Sequence, residues 1–342
     1  MTATIRVLGD PPVAVPALTG ETLLASLLEA GVAFPHNCQS GNCGACKCEL
    51  IEGDTLELPY SEFALSAEER SRGLILACRT QIWGDCSVRR LEAEDTVLHP
   101  SRILRCRLSR VTDLTHDIKA LELVIVAGGP YTFSAGQHAQ LKFGPGVPTR
   151  NYSMANRPDQ SVLEFFVRHV PRGEASGHVF TSLHLGAEIT VSGPLGNAYL
   201  RESHRGPILA VAGGSGMAPI KSIVETVLHT DPLREVHLYF GVRDERDIYL
   251  EPWLNDLRAR HQNVVTQVVL SQPSGPSARR KGLVATAVME DFASFEGFKA
   301  YLAGPPLMVE ALQLALVEQG VPLRDVHADA FYSQAEDAFN QT

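Results

Sequence analysis

The apolar positions of the first ninety residues form short strand patterns and one helical pattern. Residues 4–7 alternate as a strand does, and residues 13–15 give a second strand that can pair with the first as a hairpin. Four leucines within residues 23–28 repeat with helical spacing, and Gly31 marks the end of that helix. Further strands are predicted over residues 48–51, 74–78 and 86–89.

Residues 102–200 follow a period of two through most of their apolar positions, with glycine and proline clusters between the runs. This pattern predicts an antiparallel barrel or sandwich. One short helix is expected near residues 175–183. The strands are expected over residues 103–108, 118–126, 139–143, 163–167 and 188–191.

Residues 207–332 change character, because strand-like runs now alternate with helical runs. A strand over residues 208–212 leads into a glycine cluster, and a helix over residues 220–229 follows. Alternation of strands and helices predicts a parallel sheet with helices on both faces. Further strands are expected over residues 236–240, 264–270 and 299–303, and a last one ends near Asp329.

These patterns divide the chain into three predicted domains, over residues 1–92, 102–203 and 204–342. Residues 93–101 are charged and include Pro100, which is typical of a linker. The length of 342 residues agrees with two or three domains rather than one.

The formal net charge of −9 argues mainly against nucleic acid as a partner. No stripe of Lys and Arg stands out, so we do not expect a nucleic-acid partner. The first residues do not form a signal peptide, and no apolar run approaches the roughly 20 residues that a membrane helix needs. We therefore expect a cytoplasmic protein that does not bind a membrane.

The cysteines carry the most specific chemistry in the sequence. Cys38, Cys43 and Cys46 follow the spacing C-x4-C-x2-C, and Cys78 comes later, as in plant-type 2Fe–2S proteins. Three thiolates from one tight loop and a fourth from a strand end can converge on two irons. A structural zinc site is the alternative, but zinc sites favour paired C-x2-C motifs or mixtures of Cys and His. We interpret Cys48 as a core residue, although it is placed to compete as a ligand.

The number and the neighbours of the cysteines support a metal site. Seven cysteines in a chain without a signal peptide argue against a disulfide framework. Gly41 and Gly44 allow the backbone to fold close to the cluster, so that amide groups can reach its sulfurs. Cys86 and Cys106 are interpreted as structural.

The string Arg150-Asn151-Tyr152-Ser153 follows a glycine- and proline-rich loop. It is similar to the R-x-Y-S flavin motif of the ferredoxin–NADP reductase superfamily, although a surface arginine beside a core tyrosine would give the same residues. The resemblance implies that Arg150 binds a phosphate through two hydrogen bonds and that Tyr152 covers the isoalloxazine ring. It also implies a Ser153 hydroxyl near the atom that accepts a hydride, and Ser153 is the predicted catalytic residue.

A second string, from Gly173 to Ser176, resembles the G-x-x-S/T helix start of the same superfamily. A helix N-terminus with a small hydroxyl residue suits a pyrophosphate, which favours FAD over FMN. Phe331 either covers the flavin face that the nicotinamide reaches or caps a core. His169 is placed on the preceding strand, where it either contacts the cofactor or is exposed to solvent. The resemblance implies further FAD contacts from Asn151, Val167, His169, Ala175 and Phe331.

A glycine-rich string follows the first predicted strand of the third domain and opens a helix. It is similar to the G-G-T-G-x-A-P motif of the superfamily, with Ser215 in place of Thr. Backbone amides and the helix dipole at such a turn suit the pyrophosphate of a nicotinamide coenzyme. The predicted NAD contacts here are Gly213, Gly214, Ser215, Gly216, Met217, Ala218 and Pro219.

Residues after the second strand of this domain bear on the choice of coenzyme. Asp244 or Glu245 can accept hydrogen bonds from ribose hydroxyls and repel a 2′-phosphate. Arg243 and Arg246 would instead favour NADPH, since they can attract a 2′-phosphate. On balance we predict NADH as the coenzyme.

A later string from Ala303 to Met308 resembles the C-G-P-P-x-M motif beside the nicotinamide. Ala303 stands where many members have Cys, which puts a thiol role in hydride transfer in doubt. The implied NAD contacts are Arg243, Asp244, Glu245, Ala303, Gly304, Pro305 and Met308.

Over nearly its whole length, the chain resembles the reductase component of Rieske-type aromatic-ring-hydroxylating oxygenases, of the naphthalene dioxygenase or salicylate hydroxylase kind. The resemblance implies a multidomain α+β and α/β fold with a β-grasp 2Fe–2S ferredoxin domain, an antiparallel β-barrel FAD domain and a Rossmann-like parallel-sheet NAD domain. It implies an NADH-dependent oxidoreductase of aromatic hydrocarbon catabolism. Hydride passes to FAD, and single electrons leave through the 2Fe–2S cluster to an oxygenase component or its ferredoxin.

Other functions agree with the same cofactors. The chain could serve a di-iron or haem monooxygenase, or a deoxysugar-forming dehydrase. A non-enzymatic electron carrier or redox sensor is a further alternative, but such a protein needs neither the flavin motif nor the nicotinamide motif.

Overall fold

The structure is a computed structural model that describes residues 2–9, 11–32, 34–36, 39–41, 44–62, 64–91, 97 and 99–332. The chain forms two compact units. The first takes in the residues up to 98, and the second spans His99–Phe331. The predicted boundary after residue 203 falls inside the second unit and stays a prediction. Residues 93–96 and 98 of the predicted linker lie outside the described residues.

The first unit is a mixed five-stranded sheet with a helix packed against it. Its elements are β1 (Thr2–Leu8), β2 (Val13–Leu18), α1 (Leu23–Glu29), β3 (Lys47–Glu57), α2 (Ala67–Ser71), β4 (Leu74–Leu76) and β5 (Thr80–Arg90). The strand order is β2-β1-β5-β3-β4. β1 forms an antiparallel hairpin with β2 and pairs in parallel with β5. This is the predicted β-grasp fold.

The helix α1 forms because its sequence supplies both a cap and an apolar face. The Thr22 side chain accepts a hydrogen bond from the Ala25 amide, which satisfies one of the free donors of the first turn. Leu23 and Leu27 are fully buried in the core of this unit. The cluster loop, between α1 and β3, is therefore held at one end by a packed helix.

The first part of the second unit is the predicted antiparallel barrel. Its elements are β6 (Arg102–Asp113), β7 (Ile118–Ala127), β8 (His138–Lys142), β9 (Arg150–Ser153), β10 (Val162–Arg168), α3 (Glu174–Thr181) and β11 (Glu188–Leu195). The strand order is β10-β7-β6-β11-β8-β9. An isolated bridge between Met154 and Phe165 links the two edges of the sheet, so that the barrel nearly closes.

The second part of this unit is the predicted Rossmann-like domain. Its elements are β12 (Ile208–Gly213), α4 (Met217–Thr230), β13 (Val236–Val242), α5 (Glu251–Arg260), β14 (Val264–Leu270), β15 (Arg280–Lys281), α6 (Val284–Asp291), β16 (Lys299–Gly304), α7 (Pro306–Glu318) and β17 (Val326–Ala330). All strand pairs are parallel, in the order β15-β14-β13-β12-β16-β17. The order reverses between β12 and β16, and such a switch point is where coenzymes bind.

The barrel and the Rossmann-like domain share one core. Ile118 and Phe166 of the barrel belong to the same buried cluster as Ile220 and Ile223 of α4. Beside this cluster, the ammonium of Lys221 donates to the backbone oxygen of Ala155 at 3.1 Å. The glycine turn, Gly214–Gly216, directly precedes α4. Because α4 is packed on the barrel, this turn has a fixed position relative to the strand β9.

The structure adds three details that the sequence patterns did not predict. Residues Arg150–Ser153 form a strand of the barrel, and α4 begins at Met217, three residues earlier than expected. The two-residue strand β15 extends the parallel sheet. In the part of the chain that the structure describes, no helix combines the length and the apolar character that a membrane crossing needs.

Candidate functional site

Two of the four predicted cluster ligands lie side by side. Cys46 precedes β3, and Cys78 lies in a short 3-10 turn that follows β4. The pairing of β3 with β4 brings Lys47 opposite Leu76. Cys46 and Cys78, which are 32 positions apart, therefore become neighbours. The Cys78 amide donates to the Cys46 sulfur at 3.5 Å, and both side chains are buried. Cys38 and Cys43 lie outside the described residues, and their ligand role stays a prediction.

The loop backbone is shaped for a close approach, which fits a 2Fe–2S cluster. Gly44 has a positive φ of +69°, and a Cβ at this position would lie 2.8 Å from the Ala64 carbonyl oxygen. Only glycine fits such a site without strain. An amide that donates to a ligand sulfur, as Cys78 does to Cys46, is the kind of bond that tunes a cluster potential.

The remaining thiols are core residues in the structure. Cys48 and Cys86 are fully buried on neighbouring strands, and burial raises the pKa of the Cys48 thiol far above its usual range. Burial also raises the pKa of Cys86 to about 11 and that of Cys106 to about 12. A thiol that keeps its proton is a poor ligand, which supports the interpretation of these residues as structural.

The flavin string lies on β9, at the edge of the barrel. Arg150 donates to the neighbouring Thr149 carbonyl at 2.7 Å, and no carboxylate among the described residues pairs with it. Its charge is thus available for a phosphate. The Tyr152 ring packs edge-on against Phe143 with centroids 5.8 Å apart. Burial raises the pKa of Tyr152 to about 12, so the phenol remains a hydrogen-bond donor. Asn151, between them, is exposed.

The start of α3 fits the pyrophosphate of FAD through its backbone. Gly173 caps the helix without a side-chain hydrogen bond, which leaves amides of the first turn for an anion. Ala175 is buried beneath the turn. The Ser176 hydroxyl is engaged in closing the preceding loop, because its oxygen accepts from the Val170 amide at 3.0 Å. Anion binding here therefore depends on amides more than on the Ser176 hydroxyl.

Two other predicted FAD contacts lie near the end of β10. Val167 is buried in the barrel core. His169 does not lie on the strand but follows its last residue, Arg168, and its amide donates to the Asp117 carbonyl at 2.8 Å. The His169 side chain is exposed, and its ring lies 5.1 Å from that of Phe180.

The predicted catalytic serine has a partner that sequence reasoning missed. Ser153 Oγ donates to Asp329 Oδ2 at 3.2 Å, although the two residues are 176 positions apart. Both side chains are buried, and Asp329 lies on β17 directly beside Ala303 of β16. The signal that the sequence offers is an acidic residue in a short terminal strand whose other residues are Val, His and Ala.

The two nicotinamide motifs are in direct contact with each other. A Cβ on Gly216 would lie 2.1 Å from the Ala303 carbonyl oxygen, and one on Gly213 would lie 2.6 Å from the Met308 sulfur. Residues Gly214–Gly216 form a 3-10 turn, and α4 begins at Met217 without a side-chain cap. This turn follows β12 at the switch point of the sheet, where a coenzyme pyrophosphate can approach the backbone. Ser215 lies in this turn, and Ala218 and Pro219 are buried in the first turn of α4.

The aromatic element closes the same region. The Phe331 amide donates to the Gly304 carbonyl at 2.9 Å, which sets Phe331 directly after β17 and next to Pro305. One continuous site thus lies at the junction of the barrel and the Rossmann-like domain. It consists of Ser153, Asp329, the glycine turn, and the turn over residues 303–305, called the Ala303 turn below.

Two arginines flank the glycine turn, and one of them was not predicted. Arg168 comes from the barrel, and its Nη1 lies 3.2 Å from the position of a Cβ on Gly214. Its Nε donates to Asp117 Oδ2 at 2.9 Å, and Arg243 Nη2 lies 3.6 Å from the same oxygen. Tyr249 donates to the Gly214 carbonyl at 2.8 Å and fixes the turn. Asp117 therefore holds one cation from the barrel and one from the Rossmann-like domain at the same carboxylate oxygen.

The acidic pair after β13 is held by hydrogen bonds. Asp244 caps a 3-10 turn over Glu245–Asp247 and accepts from the Glu245 amide at 2.9 Å. Arg243 is paired with Asp117 and Asp247, so its charge is matched. All the predicted ribose-binding side chains are at the carboxyl end of β13.

Three family models match successive parts of the chain. A 2Fe–2S iron–sulfur cluster binding domain matches residues 6–82, an oxidoreductase FAD-binding domain matches residues 105–199, and an oxidoreductase NAD-binding domain matches residues 210–313.

Curated proteins and solved structures resemble the whole chain. The ferredoxin–NAD(P)+ reductase component of the naphthalene 1,2-dioxygenase/salicylate 5-hydroxylase systems of Ralstonia sp. is 42% identical, over 92% of this chain and 95% of that protein. The corresponding component of the Pseudomonas putida naphthalene 1,2-dioxygenase system is 38% identical, over 93% and 95%. The structure of the Amycolatopsis cytochrome P450 reductase GcoB matches with a TM-score of 0.79 and 35% identity, over 96% of this chain and 98% of that chain.

Proposed function

Because this chain belongs to the family of ferredoxin–NAD(P)+ reductases that join 2Fe–2S, FAD-binding and NAD-binding domains, we propose that it oxidises NADH and supplies single electrons to an oxygenase component or that component's ferredoxin. The observation that carries the proposal is the junction where Ser153 of the flavin string meets Asp329, beside the Ala303 turn of the nicotinamide domain. A plain electron carrier has no use for such a junction.

The bound cofactors supply redox chemistry that side chains lack, since FAD accepts a hydride and a 2Fe–2S cluster passes on one electron at a time. The residues that would hold FAD are Arg150 and Tyr152 on β9 and the amides at the start of α3. Cys46 and Cys78 would hold the cluster, together with the predicted ligands Cys38 and Cys43.

We assign the guidance of hydride transfer to Ser153. Its hydroxyl is held by Asp329 in a buried site, so its oxygen has one orientation before a coenzyme binds. A polar group that is already held in position does not have to reorient during the reaction. Ala303 beside it carries no thiol, so the assignment rests on the serine and the aspartate.

The coenzyme pyrophosphate would bind at the start of α4. The glycine turn offers amides and the helix dipole, and Arg168 adds a positive charge beside Gly214. NADH is favoured over NADPH, because Asp244 and Glu245 lie at the ribose position and Arg243 is already paired with carboxylates.

The proposed partner is a Rieske-type aromatic-ring-hydroxylating oxygenase, as the names of the 42% and 38% identical relatives suggest. A haem oxygenase is the second candidate, since GcoB serves a cytochrome P450 and resembles the chain along its length. We also propose a cytoplasmic location, where a reducing environment preserves thiolate ligands.

The test uses the full chain loaded with FAD and cluster. NADH should bleach the flavin absorbance and then the cluster absorbance in stopped-flow measurements, and it should support reduction of both ferricyanide and cytochrome c. Product formation with a Rieske oxygenase and with a haem oxygenase, measured side by side, then identifies the partner class. A loaded protein whose flavin is not reduced by NADH would contradict the proposal.

A further inference from the structure

We propose that Ser274, in the loop between β14 and β15, is a positioning residue that sets the preference for NADH over NADPH. It acts by holding the Asp244 carboxylate where the adenosine ribose of the coenzyme binds. The inference rests on the proposed function, because it concerns the coenzyme that the reductase oxidises.

Ser274 grips the Asp244 carboxylate at both oxygens. Its amide donates to Oδ1 at 3.1 Å, and its hydroxyl donates to Oδ2 at 2.6 Å. Oδ1 also accepts from the Glu245 amide at 2.9 Å. A carboxylate has about four acceptor positions, so these three bonds leave one, on Oδ2. That position can accept one hydrogen bond from a ribose hydroxyl, and the grip fixes its direction.

The two loops that meet in this contact leave the sheet together. β13 and β14 pair in parallel as far as Val242 and Leu270. The pairing continues beyond the strands, since the Ser271 amide donates to the Val242 carbonyl at 2.9 Å and the Gln272 amide to the Arg243 carbonyl at 2.8 Å. The loop that carries Ser274 is therefore registered against the loop that carries Asp244.

This contact also lies next to the glycine turn. Gly241 of β13 pairs with Gly213 of β12, so the chain reaches Asp244 three residues after passing the start of the turn. A coenzyme whose pyrophosphate binds at the turn extends its adenosine towards the carboxyl end of the neighbouring strand.

Asp244 and its neighbour Glu245 differ in how their charges are balanced. Glu245 accepts from the Ser277 hydroxyl and lies 3.4 Å from Nε of Arg279, a cation that offsets its charge. Asp244 is bonded to amides and a hydroxyl, and no Lys or Arg in the described ranges forms an ion pair with it. The Ser274 hydroxyl also holds the pKa of Asp244 below its usual range, so the carboxylate stays ionised at neutral pH.

An unbalanced, fixed carboxylate treats the two coenzymes differently. The 2′-hydroxyl of NADH can donate to the open position on Oδ2, whereas the 2′-phosphate of NADPH meets a negative charge that cannot turn away. Without the Ser274 hydroxyl, the Asp244 carboxylate is held through Oδ1 alone, and the direction of Oδ2 is no longer fixed. Both the bond to NADH and the repulsion of NADPH then weaken.

The experiment compares Ser274→Ala with the wild-type protein, both as the full chain with FAD and cluster. Ferricyanide reduction is measured with NADH and with NADPH at constant ionic strength. We expect kcat/KM for NADH to fall about tenfold through KM, with kcat unchanged, since one hydrogen bond to a charged group loses its fixed geometry. We expect kcat/KM for NADPH to stay the same or rise, so the NADH:NADPH ratio falls by at least as much. Inhibition by 2′-AMP should strengthen relative to inhibition by 5′-AMP.

Two further variants separate a specific effect from a loosened loop. Ser271→Ala removes a hydroxyl from the same loop, but one that bonds to the Val242 backbone, and it should keep the wild-type ratio. Ser274→Thr retains a hydroxyl and should restore most of the preference for NADH.

The outcomes distinguish this inference from the proposed function. A wild-type protein that prefers NADH, with a Ser274→Ala variant of unchanged ratio, would overturn the role of Ser274 alone. An equal loss of ratio in Ser271→Ala would overturn it as well, because a general effect on the loop would then explain the result. A wild-type protein that oxidises neither coenzyme would instead overturn the proposed function.

Discussion

The two compact units hold their reactive groups in opposite surroundings. In the first unit, Cys46 and Cys78 belong to an apolar core, and the Cys78 amide donates to the sulfur of Cys46. In the second unit, the junction between barrel and Rossmann-like domain is built from charged and polar pairs, such as Asp117 with Arg168 and Ser153 with Asp329.

The difference corresponds to what each unit has to do. A cluster that passes a single electron needs ligands and a low-dielectric surrounding, and an apolar core supplies that surrounding. A site that binds a doubly charged pyrophosphate and receives a hydride needs fixed charges and a positioned hydroxyl. The chemistry of the two units should therefore be separable by mutation.

The largest effect is expected from Cys46→Ser. Loss of a thiolate ligand should abolish the EPR signal of the reduced 2Fe–2S centre and reduction of cytochrome c, while FAD stays bound and NADH still supports ferricyanide reduction. The measurement is EPR alongside the two acceptor assays. Cys48→Ala is the control, since a protonated core thiol is not expected to be a ligand.

Retention of a normal cluster signal in Cys46→Ser would remove Cys46 from the ligand set. A different failure would be more informative. If the cluster-free protein binds FAD but NADH cannot bleach it, the two units are not separable, and the route from NADH to FAD to cluster is wrong.

The next effect is expected in the second unit, from Ser153→Ala. Loss of a positioned hydroxyl should slow flavin bleaching by NADH about a hundredfold, while the cluster keeps its EPR signal. Asp329→Asn keeps a group that can still bond to Ser153 and should slow the step less. Single-turnover stopped-flow measurement gives both rates. Equal rates in Ser153→Ala and the wild-type protein would assign the guidance of the hydride to other groups.

These residues also show where sequence patterns succeed and where they stop. The cluster loop can be recognised from the sequence because its ligands are one residue type at short, fixed spacing, as with Cys43 and Cys46. The barrel and the parallel sheet follow from periods that span whole segments. Ser153 could be found from its motif, but its partner Asp329 could not, because 176 residues separate them and only the folded sheet brings them together. The strand β9 is short and polar, so no apolar period marks it.

The same reasoning explains why Arg168 was missed. It is one basic residue at the end of a barrel strand, and nothing local in the sequence relates it to the glycine turn of another domain. Its position depends on the core shared by the barrel and α4. The ligand roles of Cys38 and Cys43 stay predictions, because these residues lie outside the described ranges.

A smaller effect is expected from Arg168→Ala. Removal of one cation from the glycine turn should raise KM for NADH about tenfold and leave kcat nearly unchanged, because the Ser153–Asp329 pair is untouched. Steady-state ferricyanide reduction measures both constants, and the KM of the wild-type protein should depend more steeply on salt than that of the variant. Arg172→Ala, at an exposed position of the next loop, is the control. A fall in kcat with constant KM would contradict binding as the role of Arg168.

The smallest effect concerns the contact between α4 and the barrel, where Lys221 lies 3.0 Å from Glu164 and 3.3 Å from Glu225. Burial raises the pKa of Glu225 above its usual value, although Lys221 opposes the shift. A carboxyl with a raised pKa in the folded state binds its proton more tightly there than in the unfolded chain. It therefore favours the folded state below its unfolded pKa, and that contribution is lost as the pH rises through the folded pKa.

Glu225→Gln removes this titration and keeps the shape of the side chain. Between pH 4.5 and pH 7, the Tm of the wild-type second unit should fall relative to that of the variant by about 2 °C, since Glu225 is only partly shielded from water. Release of FAD fluorescence on heating reports the transition of this unit, and comparison of the two proteins at each pH cancels the groups that titrate in both. A wild-type Tm that rises relative to the variant would mean that attraction between Lys221 and ionised Glu225 outweighs the burial of the charge. The polar junction would then stabilise the second unit as well as bind its coenzyme, and the contrast with the apolar first unit would extend from function to folding.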